Sequence, residues 1–197
     1  AKLIKAGHKV AICEQVEDPS AAKGIVKREI IKIISPGTVT DEALLNEKEN
    51  NYLLCIFDNS VSAGISYIDV STAEFRTCII SGAEKYINLA NEIEKISPKE
   101  ILCNDIFFDR NGKENILPRF SGAIHKLDND YFDYDNALDA LKSHFDAPAL
   151  HKTEIFDTNS ALYVKCIGAV LKYLDYNHKQ VLRYIKKIEK YTQDDFM

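Results

Sequence analysis

Asp58, Asp69 and Glu74 are the side chains whose types and spacing come nearest to chemistry. They lie on or beside three successive strand-like runs. Carboxylates converging from neighbouring strands can hold two Mg²⁺ ions about 4 Å apart and hydrolyse a phosphodiester in line. A metal-dependent nuclease is therefore one reading of the chain. Structural roles are the stronger reading. Asp58 begins an Asp-Asn-Ser turn, where its carboxylate can serve its own backbone. Asp69 sits among strand-edge residues, and no further acid is placed to complete a cluster.

Two other groups could bind rather than react. Lys23, Lys27, Arg28 and Lys32 form the compact basic group of the first fifty residues. Lysines and arginines so placed can neutralise phosphates without reading sequence; the alternative is a solvated strand face balanced by Glu29. Further on, Ala137, Leu138, Leu141 and Phe145 recur at helical spacing and should face inward. That leaves Asp135, Asp139, Lys142 and Ser143 on the outer face, either as a protein-docking surface or as an ordinary solvated one.

Charge is uneven along the chain. Residues 51–158 carry eighteen Asp/Glu against ten Lys/Arg, a net −8, whereas residues 1–50 are neutral and 159–197 carry a net +3. A segment at −8 is repelled by a phosphate backbone and suits a protein partner better. Cysteines 13, 55, 78, 103 and 166 make no C-x-x-C pair, and the five histidines have no metal-ligand spacing. Cys55, Cys78 and Cys103 lie in apolar strand-like runs, so the cysteines read as reduced core thiols of a cytoplasmic protein rather than a disulfide or zinc framework, and no metal site is expected. No apolar run approaches the roughly 20 residues of a membrane span, and no G-x-x-x-x-G-K-[ST] phosphate loop occurs.

The elements that must position these groups can be read from the same pattern. Val10–Cys13 and Val26–Ile34 read as strands, with a helical turn between Asp18-Pro19 and Gly24. Ser35-Pro36-Gly37-Thr38 breaks the second strand. Tyr52–Phe57, Ala63–Val70 and Glu74–Ile80 are separated by short turns, so they predict an antiparallel meander. Ser81-Gly82-Ala83-Glu84 has the form of a capping box ahead of a helix that Ser97-Pro98 ends. Glu100–Cys103 is a short buried strand, Asn111-Gly112 a turn, and Ala123–Leu127 a last strand. Ser160–Tyr176 is apolar on much of its surface and predicts a core helix, with Gly168 kept for close helix packing. The order is three strands, helix, strand, helix, strand, helix. It predicts an α/β fold of ribonuclease H-like type, with a mixed sheet and flanking helices.

The run from Ala6 to Pro19, then Lys23–Glu29 and Ser35–Leu45, closely resembles the MutS family of bacterial DNA mismatch repair proteins. Leu53-Leu54, Ala63–Phe75 and Pro98–Leu102 resemble the connector strands of that family, and Asn159–Tyr176 its first core-domain helix. The resemblance implies residues 1–44 as the end of a mismatch-binding domain and linker, 45–158 as the connector domain, and 159–197 as the first helices of a core (lever) domain. The chain opens at Ala1-Lys2-Leu3-Ile4-Lys5 inside an amphipathic pattern, which suits an internal piece of a longer protein.

By the same resemblance, the ATPase and its ATP and Mg²⁺, the Phe-x-Glu mismatch reader and most of the homodimer contacts belong to other parts of the family's chain. No cofactor is expected in this piece. Phe57-Asp58-Asn59 is a turn and does not carry the reader's role. The expected function is non-catalytic: a connector that couples mismatch recognition in double-stranded DNA to the ATPase and docks MutL.

Overall fold

The structure, a computed structural model, describes residues 2–18, 24–40, 49–146, 155–156 and 160–192. Its centre is the meander β3 (Tyr52–Asp58), β4 (Ser62–Asp69) and β5 (Glu74–Ser81), antiparallel throughout with Cys55 opposite Ser66 and Ile65 opposite Cys78. Side-chain oxygens make both turns. Asn59 accepts from the amides of Val61 and Ser62, and Asp69 from the amide of Ser71. Helix α2 (Lys85–Ile96) then crosses to β6 (Glu100–Cys103), which lies parallel to β3. Helix α3 (Asp105–Glu114) leads to β7 (Ala123–Lys126), parallel to β6. After a 3-10 turn at Asn129–Phe132 come α4 (Tyr134–His144), α5 (Ser160–Leu182) and β8 (Glu189–Lys190). The result is a mixed six-stranded sheet in the order β7-β6-β3-β4-β5-β8.

Near-continuous apolar strands such as Leu53-Leu54-Cys55-Ile56 belong in a sheet covered on both faces. Successive side chains point to opposite faces. Leu53, Cys55 and Ile68 meet Leu141, Val164, Ile167 and Leu171 of α4 and α5. Leu54, Ile56, Ile65 and Tyr67 meet Leu89, Ile93 and Phe107 of α2 and α3. The architecture is α/β in three layers. Gly168 marks the crossing of α5 over α4: a Cβ there would lie 2.3 Å from the Cβ of Ala137.

Ahead of this layer lie α1 (Lys2–Lys5) and a ribbon of β1 (Val10–Gln15) and β2 (Arg28–Ile34), paired from Val10–Ile34 to Gln15–Arg28. Almost every ribbon side chain is exposed. The chain then dives inward: Ser35, Thr38 and Val39 are all buried, around a single 3-10 turn at Pro36–Thr38.

Several sequence expectations need correction. Asn111-Gly112 is not a free turn but the end of α3. Asn104 caps that helix by accepting from the Phe107 amide, and the chain leaves it at Asn115, whose φ is 49°. The Ser81–Glu84 capping box is absent. Ser81 completes β5 and donates to the Ser62 hydroxyl, and α2 starts only at Lys85. Helix α5 does not stop at Tyr176 but continues past a kink at His178. There the side-chain Nδ2 of Asn177 donates to the Tyr173 carbonyl at 2.9 Å, a side chain entering the backbone ladder in the way that bends helices. α5 supplies much of one core face, and β8 extends the sheet beside β5. The helical turn expected between Asp18 and Gly24 falls on residues 19–23, outside the described residues.

Candidate functional site

The three carboxylates do not converge. Asp58 pairs in register with Ala63, and Asp69 with Tyr52 at the far end of the same strand pair. Six residue steps separate them, about 20 Å along the strand, against the ~4 Å spacing of a two-metal site. Each is also committed elsewhere. Asp58, fully buried, accepts from the Lys85 ammonium at 2.7 Å, the Tyr86 hydroxyl at 2.7 Å and the Ser60 amide at 2.7 Å. Burial first, and then this bond to Asp58, push the Tyr86 phenol above its ordinary range. Asp69 accepts from the Asn51 amide at 2.9 Å and from the amide and hydroxyl of Ser71. Glu74 lies opposite Asp69, accepts from the Tyr52 hydroxyl and pairs with Arg76. The nuclease reading of these residues is thereby overturned by their geometry.

The basic group is only partly described. Lys23 lies outside the described residues. Lys27, Arg28 and Lys32 are exposed on or beside β2, with Lys27 paired to Glu29 at 2.6 Å. Lys32 also bears on His178 at the kink of α5. Burial, and then the Lys32 cation, lower that imidazole's pKa to about 4.

Helix α4 places Ala137, Leu141 and Phe145 inward, with Leu138 half-buried against the same core. Asp133 caps it by accepting from the Asn136 amide at 2.9 Å. Asp135, Asp139, Lys142 and Ser143 are all exposed.

A fourth site was not legible as one. Glu100, read only as the first residue of a short strand, is a fully buried carboxylate. Its Oε2 accepts from the Gly37 amide at 3.0 Å and its Oε1 from the Tyr173 hydroxyl at 2.7 Å. His125 Nε2 stands 3.5 Å from Oε1. Burial, reinforced by the charge of Glu100, holds the Tyr173 phenol well above its usual pKa. The Lys9 ammonium lies 4.6 Å over the Tyr173 ring, and burial lowers its pKa against the opposing pull of Glu100. Beside this junction opens a cavity of about 830 Å³, lined by residues that include Ile4, Pro36, Val39, Ile93, Leu117 and Phe120. The available signal was chemical: a carboxylate opening an otherwise apolar four-residue strand must find donors if it is buried.

Comparison with known proteins assigns these regions. The family model described as MutS domain I matches residues 1–43, and that described as MutS domain II matches residues 51–186. This chain belongs to the MutS family. The DNA mismatch repair protein MutS of Acetivibrio thermocellus is 40% identical over 199 residues, covering 100% of this chain and 22% of that protein. The MutS proteins of Ruminiclostridium cellulolyticum and Alkaliphilus oremlandii are 38% and 40% identical, over 100% and 97% of this chain and 22% of each relative. The chain thus spans about a fifth of the length of these relatives.

The MutS matches give the Glu100 junction its meaning. Lys9 and Gly37 fall within the domain I match, and Glu100, His125 and Tyr173 within the domain II match. The domain II match also runs through α5 to residue 186. Among the described residues, no helix is long and apolar enough to cross a membrane.

Proposed function

We propose that this segment serves DNA mismatch repair as a non-catalytic coupling module. Its ribbon belongs to the DNA-sensing side, and its six-stranded layer is the connector that carries the signal onward. The observation that carries this reading is the Glu100 junction, where the Gly37 amide of the domain I match donates to the buried Glu100 carboxylate of the domain II match, itself bonded to Tyr173. Two parts that slid freely past one another would not bury a carboxylate between them, because an unpaired buried charge costs several kcal/mol.

Two surfaces serve the module in this reading. Lys27, Arg28 and Lys32, with Lys23, contact the phosphate backbone of double-stranded DNA and contribute affinity rather than sequence discrimination. The exposed face of α4, bearing Asp135, Asp139, Lys142 and Ser143, docks MutL, in keeping with the acidic balance of residues 51–158. ATP hydrolysis with Mg²⁺ and the homodimer contacts belong to other parts of the longer relatives, and the setting is cytoplasmic.

The deciding experiment titrates this chain with the N-terminal domain of its cognate MutL, then repeats the titration with Asp139→Lys and with added salt. Saturable binding that the substitution and the salt both weaken is the expected result. Absence of binding by the folded chain sinks the docking assignment for the isolated segment.

A further inference from the structure

The ribbon poses a mechanical question. Its strands bury almost nothing, and a two-stranded ribbon is marginal by itself. Hydrophobic burial along its length therefore does not set its angle to the sheet. The base of the ribbon is different. Val10, first in β1, pairs with Ile34, last in β2. One residue before that pair stands Lys9, and three residues after it Gly37. Each reaches one of two joined side chains of the domain II match: Lys9 lies over the Tyr173 ring at 4.6 Å, and the Gly37 amide donates to Glu100 at 3.0 Å. Tyr173 and Glu100 are themselves joined at 2.7 Å.

We propose that the Tyr173–Glu100 pair is a latch that fixes the orientation of the β1–β2 ribbon against the sheet, with Lys9 and Gly37 as its two hooks. Its importance rests on the coupling reading above. Both strand ends are held at one point, so a tilt of the ribbon must break the cation–ring contact, the amide–carboxylate bond, or both. The fit is tight. A Cβ on Gly37 would stand 2.9 Å from the Glu100 Cβ and 3.1 Å from the Leu53 Cα, so glycine is what lets the strap approach the carboxylate. Tyr173 meets Lys9 with its ring and, through its hydroxyl, holds the Glu100 carboxylate that accepts from Gly37, which makes it the positioning residue of the set. The same helix turn carries Asn177, whose amide bonds back to the Tyr173 carbonyl at the start of the α5 kink. A shift of the ribbon is thereby delivered to the bend in the longest helix of the connector match.

The test uses the full 197-residue chain. Cys13 on β1 is exposed, whereas Cys55, Cys78, Cys103 and Cys166 are buried, so a nitroxide attaches selectively to the ribbon. Asp109→Cys on the exposed side of α3 provides a second nitroxide away from every surface named above. The distance distribution between the two should be narrow. Tyr173→Phe and Lys9→Met should each broaden it about twofold or more, Lys9→Arg should restore the narrow form, and amide exchange in β3 and β4 should hold steady. An unchanged width in both variants overturns the latch. So does a Lys9→Arg variant as broad as Lys9→Met, or broadening accompanied by equally faster exchange in β3 and β4, which reports general loosening. MutL binding does not enter this readout, so failure of the latch and failure of the coupling reading are separately visible.

Discussion

Two lysine–carboxylate pairs of almost equal length occupy opposite circumstances in this chain. In the sheet layer, Lys85 and Asp58 meet at 2.7 Å with side chains 4% and 0% exposed. In the ribbon, Lys27 and Glu29 meet at 2.6 Å with side chains 68% and 54% exposed. Their distances say they are the same interaction, and their surroundings say they are not. Water screens the ribbon pair and would solvate either partner left alone. The sheet pair has no such recourse, and its charges are held by each other, by the Tyr86 hydroxyl and by the Ser60 amide. The comparison separates a part of the molecule built to keep its shape from a part whose charges stay in water.

Breaking the buried pair should give the largest effect. Lys85→Met keeps most of the stem's volume and strands the Asp58 carboxylate in the core. Removal of one partner of a buried pair costs about 3–5 kcal/mol, a large share of the roughly 5–15 kcal/mol that holds a domain folded. Denaturant melts should show that loss in the unfolding transition of the whole layer, since Asp58 closes β3 and Lys85 opens α2. A loss below about 1 kcal/mol would mean that water reaches the pair, and the contrast with the ribbon would fail.

The same contrast explains what the sequence disclosed. β3, β4 and β5 could be read within a residue or so, because β-branched and apolar runs cut by Asp-Asn-Ser and Ser-Thr-Ala turns leave few alternatives. The core-facing side of α4 followed from the spacing of Ala137, Leu141 and Phe145 alone. Helix α3 had a place in the expected order but no bounds, because Asn111-Gly112 is a turn signal that acts here as a helix end, with Asn104 and the buried Phe107 fixing the start. The exposure of Lys27, Arg28, Lys32 and of the outer face of α4 could be read locally, and the buried Glu100 cluster could not. Glu100 takes its partners from residues 63 and 73 positions away. No local pattern encodes a contact of that kind. The placement of α5 beside the six-stranded sheet was hidden for the same reason: its apolar surface announces burial without saying against what.

Between the two extremes stands His178, which is 7% exposed and lies where α5 meets the ribbon's Lys32. Its imidazole has a pKa of about 4 in the folded chain against 6.5 ordinarily. Between those values the unfolded chain binds the extra proton and the folded chain does not, so stability must fall as the pH falls. The contribution is intact above pH 6.5 and is progressively lost toward pH 4. Thermal melts of the wild type between pH 7 and pH 5, above the range of ordinary carboxylates, should show a falling midpoint. His178→Leu should flatten that slope. A variant with the wild-type slope would show that the ring is solvated, placing the kink with the ribbon rather than with the core.

The smallest stability effect belongs to the ribbon pair, and it sharpens the comparison because the functional effect should run the other way. Lys27→Met removes a partner from an exposed pair, which contributes about 0–1 kcal/mol. The melt should therefore barely move. If Lys27 neutralises a phosphate, affinity for double-stranded DNA should drop by a similar factor on every sequence tested, and the slope of log K against log salt should become shallower by about one. Lys85→Met, assayed at a temperature where it remains folded, should leave that slope alone. A ribbon variant that is stable yet unaltered in its salt dependence would return Lys27 and Glu29 to the status of a solvated strand face. A shifted slope would show one ion pair kept for structure and its near-twin kept for exchange with a polyanion.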